Sequence, residues 1–161
     1  MATHLVPYQQ LSALQRQQLE SIEIDPLQKS FAGDIHGALH SLSAAAGDAI
    51  RGFALVADDI PVAFLLLKRP PFLPAWASQD TATLHALQVD RRCQGQGYGK
   101  ACLQALPEGA RQAWLEINGL ELSVDAHNEA ALGLYLKQGW VDRGDAYKGR
   151  IGYERRMALA F

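Results

Sequence analysis

Gln94-Gly95-Gln96-Gly97-Tyr98-Gly99-Lys100 follows an apolar run, Leu84 to Val89, and precedes a helix-like run, Lys100 to Leu106. A strand, a glycine turn and a helix in this order make an anion-binding corner. Glycine permits positive φ and a close approach of backbone to ligand. The first amides of a helix lack internal acceptors, so they and the macrodipole attract an anion. Lys100 adds positive charge at this end, as do Arg91 and Arg92 just upstream. The spacing excludes two familiar phosphate motifs. A Gly-x-x-x-x-Gly-Lys-Ser/Thr loop ending at Gly99-Lys100 needs glycine at position 94 and a hydroxyl residue at 101, where Gln94 and Ala101 stand. A Gly-x-Gly-x-x-Gly fingerprint begun at Gly95 or Gly97 ends on Lys100 or Cys102.

The pattern that fits is Gln94-x-x-Gly97-x-Gly99. A second stretch supports it: Leu120-Glu121-Leu122-Ser123-Val124-Asp125-Ala126-His127-Asn128, then Ala130, Ala131, Leu134, Tyr135, Lys137, Gly139 and Trp140. Together they resemble the GNAT superfamily of acetyl-CoA-dependent N-acetyltransferases, in the family's order and separation. The resemblance is specific from about Thr83 to Met157 and weak before residue 80. It implies an α/β (α+β) fold with a mixed, mostly antiparallel sheet of about six to seven strands flanked by about four helices. It implies acetyl-CoA as cosubstrate and a primary amine as acceptor. The strands on either side of the glycine loop splay in such a fold, and backbone at Leu87 and Val89 pairs with the pantetheine arm and polarises the thioester. Gln94, Gly95, Gln96, Gly97, Tyr98 and Gly99, with Lys100, hold the pyrophosphate. Asn128 touches the arm, and Tyr135 is the general acid.

Composition sets the frame. The chain has 161 residues, 48% apolar and 20% charged, which suits a single domain, 1–161, with a core that needs no disulfides. A net charge of -2 gives no overall basic footprint, so nucleic acid is not an expected partner. Cys93 and Cys102 form neither a CxxC pair nor a disulfide framework. The N-terminus lacks the pattern of a signal peptide, and no apolar run approaches the length of a membrane span. The expectation is a cytoplasmic protein.

Taken in order, His4 to Tyr8 reads as a strand. Leu11, Leu14, Leu19 and Ile22 recur at helical spacing behind a Ser12 cap, and Pro26 interrupts. Ile35, Leu39, Leu42 and Ala46 mark a second helix capped by Asp34 and ended by Gly47-Asp48. Phe53 to Ala57 and Val62 to Lys68 form a hairpin about Asp58-Asp59. Arg69 to Pro74 is a proline-rich loop. Thr81 to Val89 is a strand, and a helix runs from about Gly97, kinked or broken at Pro107 and Gly109 before resuming to Ile117. Leu120 to Val124 is a strand, Asn128 caps a helix reaching Gly139, and Trp140 to Arg143 and Tyr153 to Leu159 close the chain.

His85 is the candidate general base, with water or an acidic residue of the first helices as the alternatives. It lies two residues before Leu87, on one face of a regular strand, and an unperturbed pKa of ~6.5 suits it to take a proton. Asn128 has a structural reading as a helix cap, and Cys93 and Cys102 read as packing residues. His36 and His40 share the spacing of His-Glu-x-x-His, but Gly37 replaces the glutamate and no third ligand is evident, so no metal is expected. Glu20, Glu23, Asp25 and Asp34 make an acidic stretch that could seat a cationic amine, and Ile22 to Phe31 faintly resembles polyamine acetyltransferases. A homodimer is compatible with the family. The competing reading is a non-catalytic acyl-CoA-binding module of the same fold.

Overall fold

The computed structural model describes residues 2–26, 29, 33–44, 48–149 and 152–161. One sheet of seven strands organises them, in the order β1-β2-β3-β4-β5-β7-β6. The strands are β1 (Thr3–Pro7), β2 (Ile50–Ala57), β3 (Ile60–Lys68), β4 (Thr81–Val89), β5 (Gly119–Asp125), β6 (Val141–Lys148) and β7 (Tyr153–Ala160). The principal α-helices are α1 (Ala13–Leu19), α2 (Ile35–Ala44), α3 (Tyr98–Ala113) and α4 (Glu129–Lys137), and short 3-10 turns cover Tyr8–Gln10 and Arg91–Cys93. The proposed end of the second helix at Ala46 and Gly47 lies outside the described residues, as do Leu27, Gln28 and Phe31 of the polyamine-like stretch.

Every neighbouring pair is antiparallel except β4 and β5. The sheet separates two apolar layers. Leu103, Leu106 and Ala110 of α3 and Tyr135 of α4 pack with Phe53, Leu65, Leu84 and Leu122 on one face. Leu19, Ile35 and Ala38 pack with Ala54, Phe64 and Leu66 on the other. Strand alternation in β2 and β3 divides these sets, since successive side chains point to opposite faces. Ser12 caps α1 in a reciprocal capping box with Gln15, and Asp34 Oδ1 accepts from the Gly37 amide at 2.8 Å.

Of the kink or break expected at Pro107, the break does not occur. α3 runs unbroken from Tyr98 to Ala113 with Pro107 inside it, and ends at an extended Trp114 instead of reaching Ile117. Proline removes one backbone bond, but a continuous buried stripe, Tyr98, Cys102, Leu103, Leu106 and Ala110, holds both halves to the sheet. β6 is longer than the sequence suggests, because its pairing with β7 continues to Lys148↔Tyr153.

Two irregularities create the site. The parallel ladder between β4 and β5 spans only Thr81↔Gly119 to Thr83↔Glu121, after which the strands diverge. β4 also carries an extra residue: Leu66 pairs with His85 but Phe64 pairs with Gln88. Ala86 sits in the bulge at φ 57, and Gln88 Nε2 braces it by donating to the Ala86 carbonyl at 3.1 Å.

Candidate active site

The bulge reverses the side-chain phase of β4. Leu84 and Leu87, three apart, both pack on the α3–α4 face, whereas Ala86 packs on the α1–α2 face. His85 is in register with Leu66 of that second face. His85 and Leu87 therefore do not share a face, contrary to the regular-strand expectation, because one inserted residue shifts a period of two by half.

Two cavities meet at the gap between β4 and β5. The smaller, about 290 Å³, lies beside α3 and α4 and takes in Leu87, Val89, Gln94, Gly99, Asn128 and Tyr135. The larger, about 500 Å³, reaches α2 on the other side and is lined by Lys68, His85, Asp125, Tyr147 and Glu154 among others. Leu87, Asn128, Ala131 and Tyr135 line both. The sheet is thus perforated where its strands splay, and Tyr135 stands at the perforation.

At the glycine loop, Gly95 and Gly97 adopt φ of 80 and 81. Gly97 is the N-cap residue of α3 and has no side chain with which to satisfy the first-turn amides. A Cβ on either glycine would meet nothing within 4 Å, so the loop's outer side is open, whereas one on Gly99 would sit 3.3 Å from Leu134. This is the shape and polarity a pyrophosphate needs, with a narrow apolar slot beyond it, so the residues present fit the nucleotide end and the arm of coenzyme A. Gly95, Gln96, Gly97 and Lys100 are exposed at the loop, while the Tyr98 ring belongs to the core. Gln94 Nε2 donates to the Val89 carbonyl at 3.1 Å, tying the loop to its strand.

Arg91 and Arg92 do not bring uncompensated charge to this loop. Arg92 binds both oxygens of buried Asp90 and donates to the Ser21 carbonyl, while Arg91 pairs with Glu23 at 3.1 Å. They fasten the loop to the segment after α1. The same pairing withdraws Glu23 from the acidic stretch.

Asn128 caps α4, its Oδ1 accepting from the Ala131 amide at 3.3 Å. Removing that acceptor in Asn128→Ala lowers unfolding stability by about 1 kcal/mol in a denaturant melt. An undiminished midpoint with weakened acetyl-CoA binding would assign Asn128 to the ligand alone.

Tyr135 is 8% exposed, and its ring meets Trp140 at 5.7 Å between centroids. Burial, with a smaller contribution from Cys102, holds its phenol well above the ordinary value, so it stays protonated. Burial pushes the Cys102 thiol up to about 12, which makes it inert packing.

His85 is half-buried, and burial together with Lys68 lowers its pKa to about 4. Its Nε2 lies 2.6 Å from the hydroxyl of Thr83, a residue with no exposed surface. Among the described residues Nε2 is the one side-chain partner of that hydroxyl. A buried hydroxyl hydrogen without an acceptor is unfavourable, so Thr83 donates, Nε2 accepts, and the ring proton rests on Nδ1. The imidazole is neutral above pH 4 and its one lone pair is engaged. Between pH 6.5 and about 4 the unfolded chain binds a proton at this position that the folded chain refuses. His85 therefore contributes stability that is full above 6.5 and is lost as pH falls, at most about 3 kcal/mol. Thermal melts at pH 7 and pH 4 check this: wild type loses more stability than His85→Gln on acidification, and equal losses would refute it.

Lys68, Asp125 and Glu154 were not candidates from the sequence. Asp125 directly follows the Leu120 to Val124 run, and nothing local distinguishes it from any strand-end aspartate. Its value comes from facing Glu154 across the β5–β7 ladder. Among the described residues no three His, Cys, Asp or Glu side chains converge as a metal site would require. No helix among them is long and apolar enough to cross a membrane.

The fold recurs in known proteins. An aminoglycoside acetyltransferase in complex with coenzyme A superposes with a TM-score of 0.75 at 12% identity, over 99% of this chain and 95% of that one. Spermidine N-acetyltransferase from Vibrio cholerae gives 0.70 at 16% identity, over 98% and 95%. The ribosomal-protein-S18-alanine N-acetyltransferase from Escherichia coli gives 0.61 at 23% identity, over 99% and 93%. At these identities the likeness is one of fold. A sequence search of curated proteins finds no match. The model of the acetyltransferase (GNAT) family matches residues 10–140, which include the glycine loop, the splayed strands and Tyr135, and this chain belongs to that family.

Proposed function

We propose that this protein transfers the acetyl group of acetyl-CoA to a primary amine by direct attack in a ternary complex. The observation that carries the reading is the junction of the two cavities at Leu87, Asn128, Ala131 and Tyr135. Coenzyme A enters along α3 and α4, the amine enters from the α2 side, and the two meet through the gap in the sheet. Holding both in one cleft supplies much of the rate by proximity. Free thiols at Cys93 and Cys102 suit a cytoplasmic setting.

The amine nitrogen bonds to the acetyl carbon and the carbon–sulfur bond breaks. Main-chain donors around Leu87 to Val89 stabilise the oxygen that becomes negative. Tyr135 donates to the departing sulfur. The attacking ammonium must first lose a proton. His85 is a poor acceptor, because burial and Lys68 disfavour its protonated form and Thr83 engages its lone pair. We assign the proton to Glu154, which lines the amine's cavity and whose pKa is raised by burial and by Asp125.

The test is release of coenzyme A thiol, followed with a thiol reagent across a panel of amines, beside calorimetric titration with acetyl-CoA. Amine-dependent release supports the reading. Acetyl-CoA binding without release by any amine would leave a binding module of the same fold.

A further inference from the structure

The larger cavity has charge of opposite sign on opposite walls. On the β5–β7 side, Asp125 and Glu154 are directly in register. Like charges so placed repel, and the raised pKa of Glu154 reflects that in part. Asp125 Oδ1 receives the His127 amide and ring, and its side chain is 10% exposed. On the β3–β4 side stand Lys68 and His85. Lys68 has no salt bridge among the described residues, although its charge is felt at His85. With Thr83 donating to Nε2, His85 keeps its Nδ1 hydrogen as a donor. One wall is built for a cation and the facing wall for an anion.

We propose that the acceptor is a zwitterion of amino-acid size, its ammonium held by Asp125 and Glu154 and its carboxylate by Lys68 and His85. This rests on the acetyl-transfer reading above and names the class of amine. A polycation would meet the carboxylates of Asp34, Asp125 and Glu154 in the lining but also the Lys68 ammonium, which has no salt bridge among the described residues, whereas a zwitterion satisfies both walls. A cavity of about 500 Å³ has room for such a molecule beside the thioester.

The experiment measures thiol release from acetyl-CoA with α- and ω-amino acids, each compared with its own carboxamide, and with spermidine. Wild type prefers at least one amino acid over its amide by about tenfold or more in kcat/KM, the scale of a charge-assisted contact. Lys68→Met narrows that acid-to-amide ratio to within about threefold. Glu154→Gln lowers kcat/KM for acid and amide alike, because both carry the ammonium. Equal use of acid and amide by wild type, or a preference for spermidine, overturns the zwitterion while leaving acetyl transfer intact. Absence of release with every amine, alongside tight acetyl-CoA binding, removes the catalytic reading and this inference with it.

Discussion

Tyr135→Phe lowers kcat about a hundredfold and leaves acetyl-CoA affinity and the unfolding temperature close to wild type. Loss of a positioned proton donor costs on this scale, roughly 2.7 kcal/mol of barrier. The substitution deletes one oxygen and keeps the ring that packs on Trp140 and within the α3–α4 core. The hydroxyl is the part that matters, since Tyr135 stands where the cavities join. Its raised pKa means that full transfer of the proton to a thiolate is uphill. Most of the effect is then a hydrogen bond to sulfur that strengthens as the carbon–sulfur bond breaks, with the proton balance made up from solvent. For the same reason the pH profile of kcat shows no alkaline limb from Tyr135 below the ordinary phenol value. A drop in unfolding temperature that tracks the loss of activity would assign the residue to packing, and undiminished kcat with every productive amine would take it out of the mechanism.

Gly97→Val weakens acetyl-CoA binding by roughly thirtyfold or more, on the order of 2 kcal/mol, with a folded protein otherwise intact. The cause is the backbone. Gly97 lies at φ 81, which a β-branched residue avoids, whereas the space around a new Cβ is empty. Valine relieves the strain by moving the loop, and the first-turn amides of α3 then no longer converge on the pyrophosphate. Calorimetric titration with acetyl-CoA, with a thermal melt as control for folding, checks this. Unchanged affinity in a folded variant would mean that the loop does not hold the phosphates.

These expectations rest on two kinds of information. The glycine loop, the strand before it and the α3 helix after it were legible from local chemistry. Positive φ, a helix start and an apolar run are properties of a few consecutive residues. So were the Ser12, Asp34 and Asn128 caps, each a side chain closing on an amide three residues on. The sheet and its helices also followed, because the family pattern fixes their order along the chain.

Three things depended on the tertiary structure. The first is the continuity of α3 through Pro107, where a long buried stripe outweighs a lost hydrogen bond that local rules weigh alone. The second is the charge at the loop: Asp90 meets Arg92 locally, but Glu23 and the Ser21 carbonyl reach Arg91 and Arg92 only once the chain has folded back. The third is the lining of the larger cavity. Alternation along β4 points His85 and Leu87 the same way, and nothing within that strand announces the bulge that separates them. The bulge exists because Phe64 and Leu66 of β3 pair with residues three apart on β4. Likewise Asp125 and Glu154 are 29 positions apart in the chain and become neighbours through the β5–β7 register. The sequence by itself determined the family, the fold and the glycine loop, which are short-range patterns. Only the tertiary structure decided which charges line the larger cavity, because that depends on register between strands distant in sequence.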